Sequence, residues 1–186
     1  MPKNGKRASR ESRENEAVSE DTGAAAADPE PIHVRDLLAP GRIRTDLTAA
    51  SKKSLLDQLA AEFHTDRPDL DEREVFQTLL RREQLGSTAV GHGVALPHGR
   101  MSNLERPIGA FTRLKQPADF DAMDDQPVSL VFALLVPDEQ NDQHLQVLSR
   151  LARMLDDADF REELMHAAEG SLYDLLVAKD EELTGN

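Results

Sequence analysis

Apolar residues recur every three or four positions in the first half of the chain, and this spacing predicts amphipathic helices. One helix is predicted after Ser51, a candidate N-cap, and a second after a cap at Asp69 or Asp71. Gly86 is expected to end the second helix, because glycine readily closes a helix in the left-handed conformation. The apolar stripes of the two helices are Leu55, Leu56, Leu59, Ala60 and Phe63, and Val75, Phe76, Leu79 and Leu80. Each helix therefore has one face to bury.

The chain beyond Pro137 also follows the helical period. Asn141 or Asp142 is a candidate cap for one helix, and Asp157 is a candidate cap for another that runs through His166. The apolar stripes of this region are Leu145, Leu148, Leu151, Ala152 and Leu155, and then Leu172, Leu175 and Leu176. The C-terminal third of the chain is thus predicted to be helical.

Two stretches between the helical regions, residues 107–114 and 127–136, have the pattern of strands. The second contains VSLVFALLV, which is apolar at every position except its serine. A strand with one wet face alternates between polar and apolar residues, so this strand is predicted to be central and covered on both sides. Strands in the middle with helices at both ends predict an α/β (α+β) sandwich.

Residues 1–30 differ in composition from the rest of the chain. They contain no aromatic residue, no leucine and no isoleucine, and basic residues near the start give way to acidic ones. Such a segment buries too little apolar surface to offset its ordering entropy. We therefore expect a disordered charged tail over residues 1–30 and one folded domain over residues 31–186.

The overall charge and the missing cysteines exclude several classes of function. The formal net charge of −13 argues against non-specific nucleic-acid binding by the domain and suits a partner with a basic face. Without cysteine the chain has no disulfide, no catalytic thiolate and no cysteine-based metal site. No apolar run approaches the roughly 18 residues that a membrane span requires, so we expect none.

The stretch GHGVALPHGR, residues 91–100, combines histidine, proline and glycine. Residues 94–96 resemble the end of a buried strand, and Pro97 is expected to end it, so that His98 emerges at a sheet edge or in a cleft. Gly99 and the other glycines allow backbone N–H groups to approach an anion closely. A rigidly held imidazole is a competent nucleophile near neutral pH and suits the transfer of a phosphoryl group.

Phosphoryl transfer depends mainly on positioning and on electrostatic stabilisation of the phosphoryl charge. Three further residues are candidates for that work: Arg82 just before the predicted helix end, Thr88 with its hydroxyl near the histidine ring or the phosphoryl oxygens, and His144 at a helix N-terminus. Taken alone, a histidine that follows a proline is more often structural than catalytic, so spacing leaves both interpretations open.

The run LLRREQLGSTAVGHGVALPHGR, residues 79–100, closely resembles the active-site signature of enzyme IIA of the fructose/mannitol class, a component of the bacterial phosphoenolpyruvate-dependent phosphotransferase system. A second block, PVSLVFALLVPDEQNDQHLQVLSRLARML, is similar to the strand, loop and histidine-bearing helix of the same family. The resemblance extends from about residue 32 to 180. It implies a mixed β-sheet with helices on both faces.

The resemblance also implies roles for individual residues. His98 matches the histidine that accepts the phosphoryl group through Nε2, His144 matches the second active-site histidine, and Arg82 matches the arginine that assists transfer. Thr88 matches a threonine near the site, and Gly99 is expected to support phosphoryl binding. The resemblance implies neither a cofactor nor a metal.

The expected phosphoryl donor is a phosphohistidine carrier such as HPr or its nitrogen-branch counterpart NPr, and the expected location is the cytoplasm. The glycine-rich turn most resembles the nitrogen-regulatory enzyme IIA proteins, which implies a regulatory output in a nitrogen- or potassium-related branch. The alternatives are a sugar-specific relay to a IIB protein and an interaction module without phosphoryl transfer. A metal-dependent hydrolase that uses His92, His98 and His144 lacks both the HExxH spacing and a carboxylate cluster.

Overall fold

The computed structural model describes residues 31–138 and 141–185, without the side chains of residues 141–143. The disordered tail expected over residues 1–30 lies outside the described residues, so it stays a prediction. Among the residues described, no helix is both long and apolar enough to cross a membrane.

The described residues form helices at both ends of the fold and strands between them. The helices are α1 (Val34–Leu37), α2 (Lys52–Asp66), α3 (Glu72–Gln84), α4 (Asn141–Asp156), α5 (Ala158–His166) and α6 (Glu169–Thr184), with a 3-10 turn at Pro40–Arg42. The strands are β1 (Ile43–Arg44), β2 (Ala89–Gly91), β3 (Val94–Ala95), β4 (His98–Met101), β5 (Ile108–Ala118) and β6 (Val128–Pro137). The sequence pattern predicts the long elements but not α1, β1, β2 and β4, which are too short to show a period.

Polar side chains cap three of the helices, α2, α3 and α5, as their positions predict. The Ser51 hydroxyl accepts a hydrogen bond from the Ser54 amide, and Asp71, rather than Asp69, caps α3. Asp157 caps α5 by accepting from two backbone amides. The expected cap at Asn141 or Asp142 is wrong, because α4 begins at Asn141 and both residues lie in its first turn. Several polar residues in a row make a cap ambiguous when residue type is the only guide.

The strands form one mixed sheet in the order β1, β5, β6, β3, β2, with β4 also paired to β6. Strand β5 is antiparallel to β6, whereas β3 and β4 are both parallel to β6 and follow one another along it. The register places His98 opposite Leu134 on β6. Strand β6 is therefore central, as its apolar sequence predicts.

Both faces of the sheet are covered, which confirms the α/β class and the flanking helices. On β6, Val131, Ala133 and Leu135 pack into the cluster that contains the buried faces of α2 and α3. The alternate residues Phe132 and Leu134 pack into a second cluster with α1, α4, α5 and α6. Since successive side chains of a strand point to opposite faces, burial on both sides requires the continuous apolar run.

The extended segment is interrupted between β3 and β4 at Leu96 and Pro97, directly before His98. The expectation that Pro97 ends the strand is correct, but His98 is also the first residue of the next strand, β4. Gly99 then allows α3 to pack closely, because a Cβ atom there would lie 2.4 Å from Cγ2 of Thr78. The break and the glycine together place the His98 ring beside the end of α3.

Candidate functional site

A cleft of about 440 Å³ opens where the last turns of α3, the start of β4 and the first turn of α4 meet. Its lining residues are Thr78, Arg81, Arg82, Leu85, His98, Gly99, Arg100 and His144. The fold thus brings together four of the five predicted site residues, namely His98, His144, Arg82 and Gly99.

Both ring nitrogens of His98 have defined partners. Nδ1 lies 2.8 Å from the carbonyl oxygen of Leu96, and Nε of Arg82 donates to Nε2 across 2.9 Å. A carbonyl only accepts and a guanidinium only donates, so the proton resides on Nδ1 and Nε2 carries the lone pair. The nitrogen with the lone pair is the one that meets Arg82 in the cleft.

Arg82 is held in place by the backbone just beyond the helix that carries it. Its Nη1 donates to the carbonyl oxygen of Gly86 across 3.0 Å, just beyond the end of α3. Burial lowers the pKa of His98, and the neighbouring Arg82 guanidinium lowers it further, although the Leu96 carbonyl opposes the shift. The low pKa keeps the His98 imidazole neutral and nucleophilic.

His144 lies against His98 with its ring edge-on. The ring centroids are 5.2 Å apart and the planes meet at 81°. His144 is 7% exposed, and among the described residues its buried Nδ1 has no hydrogen-bond partner. Burial lowers the pKa of His144 to about 4, and positive charge at His98, Arg100 and Arg82 acts in the same direction. The cleft therefore holds two neutral imidazoles beside arginines at neutral pH.

Thr88 lies behind the site instead of in the cleft. Its hydroxyl and its backbone N–H both donate to the Glu83 carboxylate. The expectation that the Thr88 hydroxyl meets the ring nitrogen of His98 is therefore wrong, because Nδ1 bonds the Leu96 carbonyl. The buried carboxylate of Glu83 is an acceptor that residue spacing did not reveal.

The structure adds Thr78, Arg81, Leu85 and Arg100 to the cleft. Arg100 follows His98 by two positions in β4, so the period of a strand directs both side chains to one side. Leu85 follows Arg82 by three positions at the end of α3, and its side chain is 86% exposed. The spacing of two from His98 to Arg100 and the spacing of three from Arg82 to Leu85 are both visible in the sequence, so they were signals for Arg100 and Leu85.

His92 lies apart from the cleft. It occupies the turn between β2 and β3 with a φ of 55°, between Gly91 and Gly93, which also have positive φ. Its ring is half exposed and lies 3.9 Å from Asp156. The grouping of His92 with His98 and His144 that a hydrolase would need is therefore not formed. Within residues 31–138 and 141–185, no three His, Cys, Asp or Glu side chains converge as a metal site.

The sequence and the fold have counterparts among known proteins. A nitrogen regulatory protein of Pseudomonas aeruginosa is 42% identical over 147 residues, which are 78% of this chain and 96% of that protein. One from Bradyrhizobium diazoefficiens is 45% identical over 145 residues, 77% of this chain and 94% of that protein. The crystal structure of the nitrogen regulatory protein IIA-Ntr from Neisseria meningitidis has a TM-score of 0.71 at 38% identity, covering 76% of this chain and 97% of that one.

The class that this fold and this cleft define is an enzyme IIA domain of the phosphotransferase system. The chain belongs to the family described as "Phosphoenolpyruvate-dependent sugar phosphotransferase system, EIIA 2", whose model matches residues 36–178. Within that family, its similar relatives include nitrogen regulatory proteins. The resemblance drawn from the two sequence blocks is thereby confirmed.

Proposed function

We propose that the protein is a phosphocarrier that accepts a phosphoryl group on Nε2 of His98 from a phosphohistidine carrier of the HPr or NPr kind. The observation that carries this proposal is the pair of contacts to the His98 ring, with Nδ1 bonded to Leu96 and Nε2 facing Arg82. An imidazole fixed in this tautomer presents its lone pair to an incoming group.

The transfer step balances without a further reactant. The lone pair of His98 Nε2 forms the new N–P bond while the N–P bond of the donor breaks. The electron pair of the broken bond stays on the donor's ring nitrogen. A donor whose other ring nitrogen carries a proton therefore leaves as neutral imidazole, and the His98 ring takes up the positive charge that the donor ring loses. The proton on His98 Nδ1 remains hydrogen-bonded to Leu96 throughout, so the site need not move it.

The side chains around Nε2 suit the charge of the transferred group. Arg82 already donates at the attacking nitrogen and can turn its guanidinium to the phosphoryl oxygens. Arg81 and Arg100 line the same cleft, and so does His144, whose neutral ring carries one N–H donor. Fixed donors aimed at developing charge are a main source of catalysis in phosphoryl transfer.

The regulatory output is part of the same proposal, and it is supported by the relatives named as nitrogen regulatory proteins. Phosphorylation adds up to about two negative charges. In this cleft they would offset the positive charge of the three arginines, so a protein partner docked over the exposed Leu85 rim would meet a different electrostatic surface. We expect partner binding to depend on the state of His98. The cytoplasmic location stays a prediction.

The test is to incubate the purified protein with phosphoenolpyruvate, enzyme I and either HPr or NPr, and to record its intact mass over time. We expect one acid-labile phosphoryl adduct in the wild type and in His166→Ala, and none in His98→Ala. His166 is a suitable control because its ring lies on α5, outside the cleft. An adduct of unchanged amount in His98→Ala would refute His98 as the acceptor.

The same preparation separates the alternatives. Faster loading by NPr than by HPr supports the nitrogen branch, whereas rapid onward transfer to a sugar-specific IIB protein supports a sugar relay, which the family description also names. No adduct with any carrier, in a protein that is folded, would favour an interaction module. Such a module would bind its partner equally well as wild type and as His98→Ala.

A further inference from the structure

Glu83 follows Arg82 directly but faces away from the cleft into the protein. Its side chain is only 3% exposed, and it carries the carboxylate that Thr88 contacts. The backbone N–H of Thr88 donates to Oε2 across 3.0 Å, and the Thr88 hydroxyl donates to the same oxygen. The ammonium of Lys52, the first residue of α2, donates to Oε1 across 3.1 Å. A buried carboxylate needs such partners, and here they come from two other segments of the chain, at Lys52 and at Thr88.

Thr88 links this carboxylate to the loop that holds His98. The carbonyl oxygen of Thr88 accepts from the backbone N–H of Leu96 across 2.9 Å. The carbonyl oxygen of Leu96 in turn accepts from Nδ1 of His98 across 2.8 Å. A continuous series of hydrogen bonds therefore runs from Lys52 through Glu83, Thr88 and Leu96 to the rear nitrogen of His98.

We propose that Glu83 is a positioning residue for His98, which through Thr88 holds the Leu96 carbonyl where it keeps the proton on Nδ1 and the lone pair on Nε2. Consecutive residues of α3 thereby control the two ring nitrogens: Arg82 contacts Nε2 directly, and Glu83 acts on Nδ1 through the backbone. Thr88 belongs to this support and not to the group that contacts the phosphoryl oxygens.

The charge of Glu83 adds a second effect to the position that it fixes. Burial and Arg82 lower the pKa of His98, and the negative charge of Glu83 opposes them. The Lys52 ammonium lies 3.1 Å from Oε1 of Glu83, the carboxylate oxygen that Thr88 does not contact. Loss of the negative charge should therefore lower the pKa of His98 further, in addition to weakening the preference of the ring for the tautomer with the proton on Nδ1.

The test is Glu83→Gln in the full chain, with the nitrogen shifts of His98 followed by NMR. The wild type should show the tautomer with the proton on Nδ1. In Glu83→Gln we expect a measurable population with the proton on Nε2, a lower pKa of His98, and unchanged signals from His166. Phosphoryl acceptance should slow roughly tenfold to a hundredfold, the range found when the outer-shell partner of a metal-ligating histidine is removed. The apparent affinity for the carrier should stay the same.

Asp121→Asn is the matched control. Asp121 also pairs with Lys52, across 2.6 Å, but its side chain is 76% exposed and it does not contact Glu83 or Thr88. This variant should keep the wild-type tautomer and rate. If Glu83→Gln folds and retains both, the positioning role is refuted. If Glu83→Gln does not fold, Thr88→Val should show the same tautomer change to a smaller degree, and an unaltered tautomer there refutes the role equally.

The expected change in the rate of phosphoryl acceptance rests on the proposed function, in which His98 is the acceptor. The expected change in the tautomer of His98 does not depend on that function. If no carrier phosphorylates the wild type and the tautomer still changes in Glu83→Gln, the proposed function is wrong and the positioning role stands. If the wild type is phosphorylated and Glu83→Gln leaves the tautomer unchanged, the proposed function stands and the positioning role of Glu83 is wrong.

Discussion

Nε of Arg82 donates a hydrogen bond to Nε2 of His98 across 2.9 Å, so a permanent cation lies against the nitrogen that holds the ring's lone pair. The contact is favourable only while His98 is neutral, because a second proton on the ring would repel the guanidinium. Arg82 therefore favours the neutral, nucleophilic form of the His98 imidazole.

The first prediction is a pH profile of phosphoryl acceptance. Because the pKa of His98 is lowered from 6.5, the single-turnover rate should be flat near neutral pH and fall only at more acidic pH than a free imidazole would show. In Arg82→Gln the rate should drop by about a hundredfold, as when one donor to developing charge is removed. The inflection should also move to higher pH, since the neighbouring cation is gone. An inflection that stays in place would contradict the role assigned to Arg82.

The second prediction concerns stability in acid and His144. Its pKa is about 4 in the folded protein, against an ordinary histidine value of 6.5, so the unfolded chain binds the proton first as pH falls. Stability is thus lost progressively from about pH 6.5 to about pH 4, by up to about 3 kcal/mol. His144→Gln should reduce the difference between unfolding free energies measured in urea at pH 7 and pH 4. His166→Gln, which alters an exposed ring, is the control. If it reduces the difference between the two unfolding free energies as much as His144→Gln does, the assignment to His144 is wrong.

The third prediction has the opposite sign and concerns Glu62 on α2. Burial raises its pKa to about 7, and its nearest cation, Nε of Arg44, lies 3.6 Å away. In the unfolded state Glu62 loses its proton as pH rises above the ordinary pKa of 4.5, whereas the folded state holds that proton up to about pH 7. The free energy of unfolding therefore falls as pH rises from 4.5 through 7. Glu62→Gln should raise the unfolding free energy at pH 8 by up to about 3 kcal/mol and change it little at pH 4.5. Glu105→Gln, at an exposed position, should have no such pH-dependent effect; a similar gain there would refute the prediction.

The fourth prediction tests the close approach of α3 to β4. Gly99→Ala would place its Cβ 2.4 Å from Cγ2 of Thr78, so the Thr78 side chain, the helix or the strand must shift. We expect a loss of about 1–3 kcal/mol in unfolding free energy, together with slower phosphorylation of the adjacent His98. Thr78→Ala should restore most of both losses, because it removes the atom in collision. Gly170→Ala is the control, because its new Cβ atom meets nothing within 4 Å and should not destabilise α6. If Thr78→Ala does not rescue Gly99→Ala, a contact other than the one with Thr78 is responsible.

Much of the fold could be predicted because the signals are local. The apolar stripes of α2 and α3, the caps at Ser51 and Asp71, and the two-sided burial of β6 depend on residues close together in the chain. The positions of His98, Arg82 and His144 within two recognisable blocks also identified the candidate site residues. The fold features follow from periodicity, helix capping and residue type, which the sequence states directly, whereas the roles of the site residues follow from the resemblance to the enzyme IIA family.

The tertiary structure alone decided how those residues meet. The register of β4 on β6, the break at Pro97 and the first turn of α4 bring His98 and His144 edge to face, and no local pattern contains that relationship. The same holds for Thr88, whose residue type suggested a phosphoryl contact. Its partner is Glu83, buried behind the site. The sequence by itself thus determined which groups are present, and the tertiary structure decided their partners, because hydrogen bonds and burial depend on neighbours that only long-range strand pairing and helix packing supply.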